Sequence, residues 1–355
     1  MKEIIQIVPT YPPNIGGIGH YAKLLAYQLI KKGINSKFLV SDLSDCKITN
    51  NVKLFGKKTL KLSNLLENYN SKEIILHFSG YGFATKGLCF ELIKSIKDWK
   101  NRDKKNKLIT IFHEIYAKGS IFKSSFWTYL PQKYLAKNLF KLSDISVTSN
   151  KENQLILSSF EKSKKVKIFS TFSNIGEIKY YKSLNKRNKI AIIFGGSFQK
   201  KILYEDIYLK ERRYYNLLRE FSIKQIIDVG PKVVNLKKII NIPIKAIGIK
   251  SKKFISNLFS KAKVGLIFYP ISQMPKSGIV AAYASHGILI INFCEKKIYK
   301  NNEFINGLNF VSDNLIKKNL NYQKVADKSN TFYKKNNINN ITNFISSYIK
   351  KNNIL

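Results

Sequence analysis

Residues 4–40 read IIQIVPTYPPNIGGIGHYAKLLAYQLIKKGINSKFLV, and this stretch decides the fold. A short apolar run, Ile4–Val8, is followed by a glycine-rich loop and then by a helical pattern that ends in two lysines and Gly33. The helical positions recur at i, i+3, i+4, i+7 and i+8, and they are Tyr21, Leu24, Leu25, Gln28 and Leu29. A second apolar run, Lys37–Val40, comes next. This order of elements predicts a βαβ unit.

Seven further apolar runs of the same kind alternate with helical patterns along the chain. They are Ile74–Phe78, Leu108–Phe112, Ile145–Ser149, Ile190–Phe194, Gln225–Val229, Val264–Tyr269 and Ile288–Asn292. Continuous apolar strands are typical of parallel sheets that helices cover on both faces. A polar stretch, residues 182–189, has the composition of a linker and divides the series. We therefore predict an α/β chain of two Rossmann-like domains facing a cleft, residues 1–183 and 184–335, with a helix over 336–355 that packs back on the first domain.

The composition suits two folded domains but leaves the meaning of the charge open. The chain has 355 residues, of which 44% are hydrophobic, so global disorder is excluded. Its 62 Lys and Arg against 22 Asp and Glu give a net charge of +40. Either the lysines form a solvated surface that reflects codon bias, or they attract an anionic partner such as an acidic membrane leaflet or a nucleic acid. Because zinc-finger spacings and RNA-binding aromatic signatures are absent, no nucleic acid is expected.

Cysteine usage and hydropathy indicate a reducing compartment. Cys46, Cys89 and Cys294 lie far apart without a C-x-x-C spacing, so neither a disulfide framework nor a structural zinc site is indicated. The first apolar stretch stops at Pro9, too early for a signal peptide. The longest apolar region, Gly278–Phe293, falls short of the roughly 20 residues of a spanning helix. We expect a cytoplasmic protein whose contact with the inner face of the membrane, if any, is peripheral.

Ligands of open α/β sheets bind beyond the carboxyl ends of the strands, which directs attention to the loops that follow them. After the first strand, Gly16 and Gly17 allow the backbone to approach a diphosphate at the start of the next helix, although the loop is not the G-x-G-x-x-G of NAD sites. After the fourth strand, His113 can move a proton near neutral pH, and Glu114 can orient it or act as a base. His77, one strand earlier, is expected to be structural.

Two loops of the second half hold the residues that a diphosphate needs. They are Gly196, Lys200 and Lys201 in the first loop and Lys276, Ser277 and Gly278 in the second. A lysine is a compact charge that can reach a nonbridging oxygen. Ser277 can cap the following helix or bind a phosphate, Lys276 adds a full charge, and the helix dipole adds a partial one. The second loop is the strongest anion site in the sequence.

Taken together, these blocks resemble the GT-B glycosyltransferases, and in particular the family-4-type (group 1) enzymes of bacterial polysaccharide assembly. The parts that carry the resemblance are the loop Pro12–Tyr21, the segment Phe112–Ala117 with Phe126-Trp127 downstream, the strand exit Gly195-Gly196, and the block Lys276–Gly287. The resemblance implies a nucleotide-sugar donor held by the C-terminal domain and a glycan or lipid-linked acceptor held by the N-terminal domain. It implies no metal and no other cofactor, since cations and a helix N-terminus neutralise the leaving diphosphate.

By position, the resemblance also implies individual roles. Gly17 would approach the donor phosphates, His113 would contact the donor sugar, and Lys200 or Lys201 would hold the diphosphate together with Lys276 and Ser277. Phe126-Trp127 are expected in the core or in the wall of the acceptor cleft.

One departure from the family pattern affects the mechanism. The family has two glutamates eight positions apart in the last block, and this chain has Met274 and Ala282 in their places. The second glutamate normally meets the ribose hydroxyls, so neither ribose recognition nor retention of configuration is implied here. Glu114 is the nearest candidate base for an inverting route. The loss also leaves open a catalytically inactive binding or regulatory homologue and, less favoured, a basic nucleic-acid-binding protein.

Overall fold

The computed structural model describes residues 2–13, 16–41, 48–56, 59–67, 73–117, 124–234, 236–294, 303–312 and 320–351. It divides the chain into two compact units, the first comprising Met1–Phe169 with Ile338–Leu355 and the second Ser170–Asn337. Asn14 and Ile15 of the first glycine-rich loop, and Cys46, lie outside the described residues.

Within the described residues, the first unit contains a seven-stranded parallel sheet. Its strands are β1 (Lys2–Val8), β2 (Ile34–Ser41), β3 (Val52–Phe55), β4 (Glu73–Phe78), β5 (Lys107–Phe112), β6 (Ile145–Thr148) and β7 (Val166–Ile168). The spatial order is β3-β2-β1-β4-β5-β6-β7. The order reverses between β1 and β4, so the carboxyl ends of these strands mark the position where such sheets bind ligands.

Helices connect these strands because the intervening segments place apolar residues at helical spacing. They are α1 (Gly17–Ile30), α2 (Leu62–Glu67), α3 (Gly80–Phe83), α4 (Phe90–Arg102), α5 (Ser124–Trp127), α6 (Tyr129–Leu142) and α7 (Lys151–Phe160). Helix α1 buries Tyr21, Leu25 and Leu29 of the predicted apolar face. Gly33 follows this helix with a φ of +80°, which glycine adopts without steric cost.

The second unit repeats this architecture. Its strands are β8 (Asn188–Phe194), β9 (Gln225–Val229), β10 (Lys238–Ile239), β11 (Ile242–Gly248), β12 (Ala262–Ile267), β13 (Leu289–Asn292) and β14 (Val311–Ser312). The order is β10-β11-β9-β8-β12-β13-β14, and only β10 is antiparallel to its neighbour among these described strands. The helices are α8 (Ser197–Leu209), α9 (Glu211–Glu220), α10 (Lys252–Lys261), α11 (Gly278–Ser285) and α12 (Tyr322–Lys335). Here the order reverses between β8 and β12.

The boundary between the units comes before residues 182–189, the polar stretch that the composition indicated as the linker. The backbone N–H of Thr171 donates to the carbonyl of Pro275 at 2.8 Å. Arg187, inside the polar stretch, is 6% exposed. Its guanidinium donates to backbone carbonyls of Lys182 (2.8 Å), Ala262 (2.9 Å) and His286 (2.8 Å). These bonds attach the segment to the second unit, so the unit boundary follows Phe169 and not residue 183.

The last helix, α13 (Ile338–Lys351), belongs to the first unit. It buries Ile341, Ile345 and Ile349 at intervals of four residues, which is the spacing of one helix face, and it packs against α1. The ammonium of Lys2 also donates to the carbonyl of Ile349 at 3.3 Å. Over the described ranges, none of the helices has the length and apolar character that crossing a membrane requires.

Candidate active site

In the second unit, the loops after β8 and β12 meet at the point where the strand order reverses. Gly195, at the exit of β8, has a φ of +153°, and a Cβ placed there would lie 2.6 Å from Cδ1 of Ile279 in the first turn of α11. The β8 exit therefore packs directly against the start of α11. This contact brings the predicted residue Gly196 close to the predicted segment Lys276–Gly278.

Two helices begin at this edge of the second unit. Gly196 precedes α8, and Ser277 caps α11 with its Oγ accepting a hydrogen bond from the N–H of Val280 at 3.3 Å. Free N–H groups and the positive dipole ends of helices favour an anion. A Cβ added at Gly196 or Gly278 would meet no atom within 4 Å, so the backbone at both positions is open to a ligand.

Lys200 and Lys201 differ sharply in environment. Lys200 is 1% exposed, forms an ion pair with Asp228, and donates to the carbonyl of Pro231 at 2.6 Å. The other carboxylate oxygen of Asp228 accepts a hydrogen bond from Tyr204 at 2.7 Å. This placement corrects the expectation that Lys200 holds a diphosphate, because its ammonium is already buried against a carboxylate. Lys201 is exposed on the same turn of α8.

The loop before α11 is held in place by the protein itself. Residues Ile271–Lys276 form a short 3₁₀ turn, and the carbonyl of Lys276 accepts a hydrogen bond from Thr171 Oγ1 at 3.1 Å. The Lys276 residue is half-buried, whereas Ser277 is buried. Burial raises the pKa of Tyr269, and a hydrogen bond with Ser277 partly offsets that rise. The cationic and capping residues of this loop thus sit on an ordered backbone.

The two positions that lack the family's glutamates are both in the core. Met274 and Ala282 are 0% exposed, and Met274 Sδ lies 3.7 Å from the amide nitrogen of Asn292. A small opening beside Met274 is lined mainly by apolar groups, including Pro275, Val280 and Phe332. It therefore lacks the cations that a diphosphate requires.

In the first unit, the loops after β1 and β4 are in contact at the corresponding edge. A Cβ at Gly82 would lie 2.5 Å from Cβ of Pro9. The two predicted glycines of this loop differ: a Cβ at Gly16 would lie 2.7 Å from Thr10 Oγ1, whereas one at Gly17 would meet no atom within 4 Å. Gly17 is thus the glycine that is open to a ligand, and Gly16 is packed against its own loop.

His113 and Glu114 follow β5 at the same edge. The N–H of His113 donates to the carbonyl of Phe78 at 3.0 Å, and its side chain is half-buried. The exposed carboxylate of Glu114 accepts a hydrogen bond from Ser79 Oγ at 2.6 Å. Nε2 of His113 lies 3.2 Å from Nδ1 of His77. The sequence indicated neither Ser79 as the partner of Glu114 nor His77 as the partner of His113.

Aromatic side chains on α5 and α6 are more exposed than the sequence suggested. Phe126 is 43% exposed and Trp127 is 74% exposed, so neither is a core residue, which corrects one of the two expectations for this pair. Leu130 and Tyr134 are 71% and 61% exposed. We call Phe126, Trp127, Leu130 and Tyr134 the α5–α6 apolar patch. Lys137 and Lys141 are exposed further along the same face of α6, one and two turns beyond Tyr134.

In the described parts of the chain, no group of three or more His, Cys, Asp or Glu side chains is placed to hold a metal ion.

No family model matches the chain, and no curated protein matches its sequence. Solved structures, however, match almost its whole length. An α-glucosyltransferase in complex with UDP-glucose and DNA containing an abasic site is 11% identical, with 94% of this chain and 95% of that chain covered and a TM-score of 0.56. WaaG, a glycosyltransferase involved in lipopolysaccharide biosynthesis, is 9% identical, with 98% and 99% covered and a TM-score of 0.56. A Listeria monocytogenes protein described as a UDP-N-acetylglucosamine 2-epimerase is 12% identical, with 99% and 97% covered and a TM-score of 0.54.

These likenesses show that the chain has the GT-B fold of two Rossmann-like domains, and the fold class predicted from the sequence is confirmed. The resemblance to GT-B glycosyltransferases is confirmed at the level of structure. Since one of the matched structures carries the name of an epimerase, the fold by itself does not select the reaction.

Proposed function

We propose that this chain is a glycosyltransferase that moves a sugar from a nucleotide diphosphate sugar to a glycan or lipid-linked acceptor in cell-surface polysaccharide biosynthesis. The observation that carries the proposal is that α8 and α11 begin close together in the second unit, where the strand order reverses between β8 and β12. Lys201 lies in α8, and Lys276 lies just before α11. In a chain with the GT-B fold, this arrangement suits the diphosphate of such a donor.

The second unit would stabilise the leaving group. Breaking the bond between the sugar and the diphosphate leaves negative charge on the nucleoside diphosphate. The N-termini of α8 and α11 supply N–H groups, Ser277 supplies a hydroxyl, and Lys201 and Lys276 supply positive charge. With this set, we propose that transfer needs no metal ion and no other cofactor.

The first unit would supply the groups that meet the sugar and the acceptor. We propose that Gly17 allows the backbone to approach the donor, that His113 contacts a sugar hydroxyl, and that Glu114 removes the proton of the attacking hydroxyl. Ser79 would orient the Glu114 carboxylate. A base of this kind belongs to a single displacement, so we propose that the anomeric configuration inverts.

The α5–α6 apolar patch favours a lipid-linked acceptor. Exposed aromatic rings followed by Lys137 and Lys141 have the composition of a surface that rests on an anionic bilayer, with rings at the headgroup level and lysines near the phosphates. We propose that this patch holds the enzyme against the inner face of the membrane, where such an acceptor would be presented.

A nucleic acid acceptor is the second candidate. The net charge of +40 favours it, and one matched glucosyltransferase was solved with DNA. However, the first unit has 31 cationic and 12 anionic residues, a net charge of +19, and the second has 31 and 10, a net charge of +21. The positive charge is thus shared almost equally between the units and does not indicate one of them as the nucleic-acid-binding part. Transfer of glucose from UDP-glucose to hydroxymethylated duplex DNA, without transfer to a lipid-linked glycan, would favour this candidate.

The test is a melting-temperature screen of nucleotide sugars followed by product analysis with and without acceptors. A donor that stabilises the protein and is consumed only with an acceptor supports the transferase. Interconversion of the donor without an acceptor would identify an epimerase, and stabilisation without any turnover would identify an inactive binding protein. Lys276→Ala should weaken donor binding at least about tenfold. The matched control is Lys252→Ala, which removes an exposed lysine at the start of α10 in the same unit.

A further inference from the structure

A buried series of polar side chains lies behind His113 in the first unit. His77 and Gln6, from the adjacent strands β4 and β1, are both 0% exposed. Nε2 of His113 lies 3.2 Å from Nδ1 of His77, and Nε2 of His77 lies 2.8 Å from Oε1 of Gln6. The amide nitrogen of Gln6 donates to Ser36 Oγ at 2.9 Å. The series therefore runs from the interior of the sheet to the half-buried residue at its carboxyl edge.

The donor and the acceptor of each hydrogen bond in this series can be assigned one after another, starting from Gln6. Because the amide nitrogen of Gln6 faces Ser36, its Oε1 faces His77 and can only accept. Nε2 of His77 must then carry a proton. Burial, with a smaller contribution from His113, holds the pKa of His77 well below its usual value, so the ring is neutral and Nδ1 is an acceptor. The remaining contact requires that Nε2 of His113 donates to it.

The rings of the two histidines are also fixed sterically. They are nearly parallel, with centroids 5.5 Å apart and an interplanar angle of 15°. Tyr21 of α1 contacts both rings edge-on, with centroid distances of 5.0 Å to His113 and 5.8 Å to His77. The His113 ring is thus held between a hydrogen bond and an aromatic edge, which limits its rotation.

We infer that Gln6 and His77 are positioning residues that hold the proton of His113 on Nε2 whenever its ring is neutral. In that tautomer Nδ1 is a hydrogen-bond acceptor toward any substrate group that meets it. Such an atom selects a group that donates, for example a sugar hydroxyl, and disfavours a phosphate oxygen, which only accepts. The inference rests on the proposed function for its substrate, but the tautomer itself is a property of the protein alone.

The experiment reads the tautomer directly by long-range ¹H–¹⁵N NMR of histidine rings at pH 7.5. The chain has only four histidines, and His113→Gln identifies the signals of His113 by their loss. We expect the Nε2–H tautomer for both His113 and His77 in the wild-type protein. An Nδ1–H tautomer of His113 in the wild type would overturn the inference. This measurement does not depend on whether variants of the buried residues fold.

A Gln6 variant tests the cause. Gln6→Met keeps the length of the side chain but removes the acceptor. We expect mixed tautomers and an approximately tenfold lower kcat, with a similar KM for the donor, in this variant. Unchanged tautomers in a folded Gln6→Met protein would overturn the role of Gln6. The expected tautomers in a wild type that transfers no sugar would instead contradict the proposed function.

Discussion

Lys200 and Asp228 form an ion pair whose side chains are 1% and 5% exposed, and it lies beside the exposed Lys201. The pair links α8 to the end of β9, and Tyr204 completes it by donating to Asp228. Taking two charges out of water is costly, and only their mutual contact and extra hydrogen bonds offset this cost. Adjacent lysines of similar appearance in the sequence therefore have different roles.

We predict that Lys200→Met destabilises the fold, whereas Lys201→Met leaves stability nearly unchanged and weakens donor binding. Removing one partner of a buried pair typically costs about 3–5 kcal/mol because the other charge is left unpaired. Denaturant unfolding measures the first effect, and calorimetry with the donor measures the second. Equal loss of stability in both variants would contradict the assignment.

Two glycines of the second unit should respond oppositely to alanine. Gly278 begins α11 with open space around the position of a Cβ, so Gly278→Ala should keep or slightly raise stability. If the diphosphate approaches this backbone, the added methyl group should weaken donor binding by about tenfold or more. In Gly230 the φ is +115° and a Cβ would lie 2.3 Å from the carbonyl oxygen of Gly195, so Gly230→Ala should lower the melting temperature instead. Normal donor affinity in Gly278→Ala would place the diphosphate elsewhere.

All nine strands predicted from apolar runs correspond to observed strands, because central parallel strands are buried on both faces and leave a continuous apolar signal. The strands that escaped prediction lie at or near the sheet edges. They are β3, β7, β10, β11 and β14. Edge strands bury less surface, and β11 carries Pro243 and Lys245 within a largely exposed pattern. Their sequences therefore lack the apolar runs that reveal the others.

Side-chain environments were less predictable than the fold. Still, the burial of Lys200 had a signal: it shares a helical face with Leu203, Tyr204 and Ile207, all of which are buried. The partnership of His77 with His113 had none, since it depends on the pairing of β4 with β5, which joins residues 36 positions apart. The predicted pair of His113 and Glu114 was instead based on adjacency in the chain, and the structure gives each a partner from the end of β4.

The α5–α6 apolar patch should mediate binding to anionic bilayers. We predict that the triple variant Trp127→Ser, Leu130→Ser and Tyr134→Ser lowers cosedimentation with vesicles that contain phosphatidylglycerol by at least about fivefold, because each ring or chain loses its contact with the headgroup region. The matched control is Tyr208→Ser with Leu209→Ser, which removes side chains 82% and 77% exposed in the second unit.

Equal loss of vesicle binding in the triple variant and in its control would mean that the +40 charge, and not the patch, attracts the protein to the vesicles. Binding that persists in the triple variant would exclude the patch as the membrane contact. Activity on a soluble acceptor analogue should be unchanged in the control variant, since Tyr208 and Leu209 do not belong to the proposed site.

The fold should also lose stability as the pH falls from 6.5 to 4, with His286 as a main cause. This residue is 0% exposed, with Nδ1 2.8 Å from the carbonyl of Ala282 and Nε2 2.8 Å from Ser256 Oγ. Burial lowers its pKa to about 4, and the charge of Arg187 adds to this effect, while the hydrogen bond to Ala282 opposes it. The unfolded chain binds the proton near pH 6.5, whereas the folded chain does so only near pH 4, so acid favours unfolding within this window.

Because of this difference in proton binding, the free energy of unfolding is about 2 kcal/mol lower at pH 5 than at pH 7.5. We therefore predict that His286→Gln, although less stable than the wild type at pH 7.5, loses about 2 kcal/mol less between pH 7.5 and 5 in urea unfolding. His20→Gln, at a half-buried position of α1, is the control for the substitution itself. His77, whose pKa burial also lowers, continues to contribute in both variants, so some acid sensitivity should remain. If His286→Gln and wild type lose the same stability over this range, the proton uptake that destabilises the fold occurs elsewhere.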